Sequence, residues 1–264
     1  PESEEHQHPQ GAAVCFDHVT FTYPGAARPA LDDVSFSVQP GQVTALVGPS
    51  GGGKTTAASL IPRFWDVDQG CVSVGGVDVR KMDSRDLMRQ VAFVFQDTRL
   101  FKESLLDNIR ASRPDASREE VLSAARAAQC GDILEKLPQG LDTVVGSKGT
   151  YLSGGEGQRI ALARAILKDA PIVILDETTA FADPENESQI QKAFDALTRN
   201  KTVLMIAHRL STVQNADRIL VLSDGKIAEK GTHAQLLAQG GLYAGMWADY
   251  QHSAQWKVGK EEAV

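Results

Sequence analysis

The sequence predicts an α/β fold with a mainly parallel sheet covered on both faces. Three observations carry this. Short apolar runs at Ile172–Leu175, Val203–Ala207 and Ile219–Leu222 have strand length and alternate with helix-compatible segments, as buried parallel strands joined by helical crossovers do. A glycine-rich loop at residues 48–56 lies between an apolar strand and a helix-compatible run, where α/β proteins seat a phosphate. Before it, Val34, Phe36 and Val38 alternate with polar residues, the period of a half-buried strand.

Taken in order, residues 1–13 are polar and without period and are expected to form a disordered lead; His6 and His8 read as solvated there. The pattern becomes β at Val14. Gln42–Val47 is a short strand running into the glycine loop, and Cys71–Val79 reads as a hairpin turning at Gly75-Gly76. The α/β core is expected over 14–96 and 164–250, interrupted by a mostly helical subdomain at 97–163. In that insert Ser117 and Glu120 have capping-box spacing, and alanine-rich helix continues to about Gln129. Asp224-Gly225 marks a second hairpin, and Thr232 with Gln235 caps a late helix. Residues 251–264 read as a charged, frayed tail.

With 264 residues, 42% of them hydrophobic, the chain can bury one large core or two small ones. The formal charge of -7 argues against a bulk nucleic-acid binder, which needs a dense basic patch. Cys15, Cys71 and Cys130 are odd in number and widely spaced, so they read as free thiols. No run approaches the roughly 18–20 apolar residues that span a bilayer. The chain opens on Pro1, which suggests an excised fragment with any membrane segment outside it.

Gly48, Pro49, Ser50, Gly51, Gly52, Gly53, Lys54, Thr55 and Thr56 fit the pattern G-x-x-x-x-G-K-[ST]. Glycines let consecutive N–H groups curl around phosphate oxygens, and the following helix start adds positive potential. Lys54 is expected to reach the β- and γ-phosphates, Thr55 to offer its hydroxyl to Mg²⁺, and Thr56 to bond the α-phosphate. The loop by itself does not separate kinase, GTPase, helicase and transporter.

The strand Ile172–Leu175 ends on Asp176 and Glu177. Asp176 suits Mg²⁺, and Glu177, pointing elsewhere, suits a base that polarises the attacking water. His208 follows Val203–Ala207, and Gln96 follows Val91–Phe95. The first is placed to touch a γ-phosphate; the second could hold Mg²⁺ or the water.

Leu152, Ser153, Gly154, Gly155 and Glu156 precede the helix-compatible run at 158–167. That is a second anion-binding helix start. One phosphate loop has no use for a second cradle, but two chains facing head to tail do, each cradle closing on the partner's nucleotide.

At this point residues 14–250 closely resemble the nucleotide-binding domain of ABC transporters. The resemblance rests on the Walker A loop at 48–56, Gln96 as the Q-loop, the signature at 152–156, Walker B at 172–176, Glu177, a D-loop at Asp183 and His208 as the switch histidine. It implies a RecA-like core with an antiparallel β subdomain and a helical subdomain, and Mg²⁺-dependent ATP hydrolysis coupled to transport. Tyr23 would stack on adenine. Ser153 and Gly155 would meet the γ-phosphate of the partner subunit's ATP, and Asp183 would signal across the dimer. The implied partners are a second nucleotide-binding domain and the transporter's transmembrane domain, with no nucleic acid, at the cytoplasmic face of a membrane. Residues 96–101 would face the transmembrane coupling helices.

Three positions depart from the family pattern: Glu156 stands where Gln is commonest, Ala180–Asp183 replaces the usual D-loop, and Ser147 replaces an exporter-type Glu. The openings around Tyr23 and Gln96 still look like half-transporters, and residues 179–187 are similar to those linked to siderophore uptake. A soluble ABC ATPase acting on DNA or ribosomes is disfavoured by the single cassette and acidic charge. A non-hydrolysing half is disfavoured because Glu177 and His208 are both present.

Overall fold

A computed structural model describes residues 6–94, 100–146, 151–176 and 184–261. The chain divides into two compact units, one of residues 1–83 with 204–264 and one of residues 84–203.

The first unit opens with β1 (Val14–Phe21) and β2 (Leu31–Val38), antiparallel with Phe16 opposite Phe36. Val14, Phe16, Val19 and Phe21 face Leu31, Val34, Phe36 and Val38 in the core. The alternation slips by one residue on both strands. His18 and Asp33 absorb the slip at φ 48° and 54°, a pair of bulges that returns Val19 and Val34 to the buried face. β3 (Val43–Val47) is buried from Thr44 onward and runs into the glycine loop and α1 (Lys54–Leu60). β4 (Gln69–Val74) and β5 (Val77–Asp78) form the expected hairpin, with Gly75 and Gly76 at φ 54° and 81°, as a tight two-residue turn requires. They complete a small antiparallel sheet in the order β2-β1-β4-β5. The lead is tied down from Gln7: its N–H donates to the Lys81 carbonyl, and Gln10 N–H donates to Gly75. Backbone pairing thus holds Gln7 and Gln10, within a stretch whose composition suggests disorder.

The second unit contains α2 (Ser84–Gln90), β6 (Val91–Val94), α3 (Leu105–Arg110), α4 (Arg118–Ala127), α5 (Gly131–Lys136), α6 (Gly154–Lys168), β7 (Ile172–Asp176) and α7 (Pro184–Thr198). β6 and β7 pair in parallel, Val91 opposite Ile172 through Val94 opposite Leu175. The Ser117–Glu120 capping box forms at the start of α4, and Gln129 at φ 61° follows its end. α6 is the unit's central helix: Ile160, Leu162, Ala163 and Leu167 are buried, and Lys168 Nζ donates to the Val91 carbonyl at 2.6 Å.

β8 (Thr202–Ile206) straddles the division. The chain then forms β9 (Arg218–Ser223), parallel to β3, and β10 (Lys226–Gly231), antiparallel to β9 through the Asp224-Gly225 turn. Thr232 and Gln235 cap α8 (His233–Gln239) as expected. Residues 251–261 are helical where a frayed tail is expected. α9 runs from Leu242 to Glu261, started by the Glu229 carboxylate, which accepts from the N–H groups of Leu242 and Tyr243 at 2.8 Å each. No proline interrupts it, and Tyr243, Met246, Trp247 and Tyr250 form a seam against the β9–α8 core.

Candidate nucleotide site

The phosphate loop is shaped by backbone that only glycine accepts. Gly48 has φ 139°, and a Cβ there would stand 2.0 Å from the Leu222 carbonyl oxygen. Gly53, at φ 104°, is the N-cap of α1 and supplies no side-chain cap; the first turn of that helix holds no acid. The loop is braced from outside by Gly225 N–H donating to Gly52 O at 3.1 Å, and from inside by Gly52 N–H donating to Pro49 O at 3.1 Å. Lys54 is buried and turned back into the loop, its Nζ donating to the carbonyls of Gly48 at 2.6 Å and Pro49 at 3.2 Å. A cation held inside an uncapped helix start fits a polyphosphate. Ser50, Gly51 and Thr55 are exposed along the rim and Thr56 is buried beneath it.

Tyr23 belongs to this site in a way the sequence did not reveal. Its hydroxyl lies 2.9 Å from the Thr56 hydroxyl. Its ring meets Phe21 edge-on at 4.9 Å and Trp65 at 5.5 Å, with interplanar angles of 82° and 88°. His208 is exposed just beyond β8. The preceding Ala207 N–H donates to Leu46 O, so His208 follows a strand end lying beside the strand that feeds the loop. Tyr23 is therefore brought to the loop, and His208 lies in the same unit, one residue past the Ala207–Leu46 bond.

In the second unit Asp176 closes β7, half-buried, after four buried residues. Gln96, Glu177 and Asp183 lie outside the described residues, as do Ser147 and the variant D-loop stretch 180–183.

The signature helix start is built differently. Ser153 is the N-cap of α6: its Oγ accepts from Glu156 N–H at 3.2 Å, and the Glu156 carboxylate accepts from Ser153 N–H at 2.9 Å. This is a full capping box. The S-x-x-E spacing that marked Ser117–Glu120 was equally present at 153–156. Glu156 also pairs with Lys136. Burial pushes its carboxyl up, but Lys136, the Ser153 N–H and the charges of Lys136 and Arg159 together hold it below the ordinary carboxylate range. Below the box, Arg159 is almost fully buried and forks onto Asp132, at 2.7 and 3.0 Å, while also donating to the Gln129 carbonyl at 2.5 Å. The fork ties α6 to the α4–α5 junction. Gly154 is open, whereas a Cβ on Gly155 would meet the Asn186 side chain at 3.1 Å.

A braced glycine loop with an inward lysine, set on a strand–helix turn of an α/β fold, defines a P-loop nucleotide-binding domain. Residues 31–180, more than half the chain, match the family model described as ABC transporter, and the chain belongs to that family. It is 52% identical over 243 residues to the mycobactin import ATP-binding/permease protein IrtA of Mycobacterium tuberculosis, covering 92% of this chain and 28% of that protein. It is 48% identical over 256 residues to the ATP-dependent lipid A-core flippase of Methylobacillus flagellatus, covering 96% and 44%. The solved structure of a bacterial Atm1-family ABC exporter with ATP bound matches with a TM-score of 0.85 and 42% identity, over 92% of this chain and 42% of that one. The chain thus spans less than half the length of each of these relatives. It is an ATP-binding domain of the ABC transporter family. Among the described residues no helix is long and apolar enough to cross a membrane.

Proposed function

We propose that this domain powers transmembrane transport by hydrolysing ATP in a head-to-tail pair, each site combining one chain's phosphate loop with the other's signature helix. The observation that carries it is the presence in one chain of two glycine-containing helix starts, after the loop at 48–56 and at 153–156, in different compact units. Lys54, Thr56 and the α1 N-terminus bind the phosphates. The partner's signature serine, Ser153 of the partner subunit, closes on the γ-phosphate. Glu177 orients the attacking water, with His208 and Gln96 beside it and Asp183 communicating across the interface. Thr55 and Asp176 offer a hydroxyl and a carboxylate, hard oxygen donors that fit Mg²⁺. When bound, the ion neutralises charge on the β- and γ-phosphates.

The membrane partner is a transmembrane domain, supported by the relatives' description as ATP-binding/permease protein and flippase, and the place of work is the cytoplasmic face of that membrane. For the cargo, the resemblance of residues 179–187 to siderophore-uptake half-transporters and the relation to a mycobactin importer favour a siderophore or another small molecule.

The test is complementation. Lys54→Ala removes binding in its own loop, and Ser153→Arg blocks the cradle offered to the partner. Mixed at high concentration, or tethered, the two inactive chains should regain part of the hydrolysis, because one mixed site is intact. Constant wild-type specific activity over a wide dilution range, from a protein monomeric in ATP by light scattering, overturns the paired reading.

A further inference from the structure

We propose that Tyr23 is a phosphate-positioning residue as well as a base platform: its hydroxyl orients the Thr56 hydroxyl toward the nucleotide's phosphates, so base site and phosphate loop act as one piece. The inference rests on the reading of residues 48–56 as an ATP-phosphate cradle and deepens it.

The geometry forms a closed circuit. Thr56 is the third residue of α1 and Trp65 lies five residues past that helix's last residue, and Tyr23 touches both. Phe21 on β1 holds the third side of the Tyr23 ring system, at 4.9 Å, and also touches Trp65 at 5.9 Å. The tyrosine is thus fixed to the helix that follows the phosphate loop at its beginning and just past its end. Aromatic edge contacts of this kind restrict ring orientation.

The chemistry of the hydroxyl pair fixes its direction. A phosphate oxygen in this charge state only accepts. A threonine hydroxyl has one proton to give and lone pairs to receive with. To bond a phosphate, Thr56 must donate its proton there, and its contact with Tyr23 must then run the other way, from the tyrosine O–H into Thr56 Oγ. The result is a chain from Tyr23 O–H to Thr56 O–H to phosphate, in which each bond polarises the next. Thr56 is only 6% exposed, so water is poorly placed to take over the tyrosine's part. Without the Tyr23 donor, the Thr56 rotor can aim its proton elsewhere, for example to a backbone carbonyl.

The experiment is a double-mutant cycle on nucleotide affinity in the full chain, using Tyr23→Phe, Thr56→Val and the double variant, with ATP and GTP as ligands in fluorescent-nucleotide competition. Tyr23→Phe keeps the stacking ring and deletes only the donor. It should weaken both nucleotides by the same factor, about 3- to 10-fold, the range of one net hydrogen bond. In the Thr56→Val background the same change should do nothing. Thr56→Ser, which keeps the hydroxyl, should restore the full sensitivity to Tyr23→Phe. A purely structural tyrosine hydroxyl gives the same penalty in all three backgrounds, and a pure base platform gives none; either result overturns the proposal while leaving the phosphate site standing. Wild-type protein that fails to bind either nucleotide removes the phosphate-cradle reading itself, and the proposal with it. Matching thermal midpoints for wild type and Tyr23→Phe exclude misfolding as the cause of a loss.

Discussion

The two helix starts that the sequence marks as anion sites, at Lys54 and at Gly154, have been left in opposite states. The phosphate loop is built from positive-φ glycines, lacks a side-chain cap, has no acid in its first turn and holds a lysine inside. The signature start is capped by its own serine and its own glutamate, and that glutamate is paired with Lys136. Helix-start N–H groups favour an anion wherever they lack partners. The first site is thus ready for a ligand in the isolated chain. The second has two of its N–H groups, those of Ser153 and Glu156, satisfied internally, and a phosphate arriving there must approach the negative charge of Glu156. On the proposed paired site, this contrast predicts that the phosphate loop binds first and that the signature joins a complex that already carries counter-charges.

The contrast is broken most sharply by one substitution made at both places. Gly48→Ala forces a Cβ onto the Leu222 carbonyl at a φ of 139°, and should cost about 3 kcal/mol or more of stability. Gly154→Ala meets nothing within 4 Å in an ordinary helical position and should leave stability within about 0.5 kcal/mol of wild type. Chemical denaturation followed by circular dichroism compares the pair. Equal costs would mean that the two glycine sites do not differ as described.

Much of this was legible beforehand, for physical reasons that can be named. The hairpins at Gly75-Gly76 and Asp224-Gly225, the strands around the loop, and the boxes at Ser117–Glu120 and Thr232–Gln235 depend on interactions within a few residues, and sequence shows those directly. The Tyr23–Thr56 contact, the Arg159–Asp132 fork and the Glu229 cap of α9 join positions 33, 27 and 13 residues apart. No period or spacing marks such pairs. The pairing of Gln7 and Gln10 is hidden for the same reason, since their partners are the distant Lys81 and Gly75 carbonyls. The last helix extends through a charged stretch because no proline interrupts it and its first turn is capped by Glu229.

A smaller effect tests the capping box alone. Ser153→Ala removes the acceptor for Glu156 N–H and should destabilise the domain by about 1 kcal/mol, measured as a shift in denaturation midpoint at constant slope. No cap exists on the loop side to lose, and a side chain placed at Gly53 would meet Ala30 O and the Leu31 side chain at 2.7 Å. An unchanged midpoint for Ser153→Ala would show that the box contributes nothing net.

The smallest effect sharpens the electrostatic half of the comparison. Glu156→Gln keeps the reach back to Ser153 N–H and deletes only the charge. At pH 7 it should cost about 0.5–1 kcal/mol, a value discounted because Lys136 is 56% exposed. The folded carboxyl titrates below its usual 4.5. Its contribution is therefore complete above about 4.5 and is lost as pH falls through the depressed folded value. The gap between wild type and Glu156→Gln should be constant from pH 7 down to about 5 and close below 4.5. A gap that widens on acidification has the wrong sign for a carboxylate held by Lys136.

Lys54 points to a calorimetric consequence. Its ammonium already donates to the Gly48 and Pro49 carbonyls, so phosphate binding exchanges internal partners for external ones. The heat released should accordingly be smaller than the number of contacts in the complex suggests. What favours association instead is that the loop and its lysine have little conformational freedom left to surrender when the nucleotide arrives.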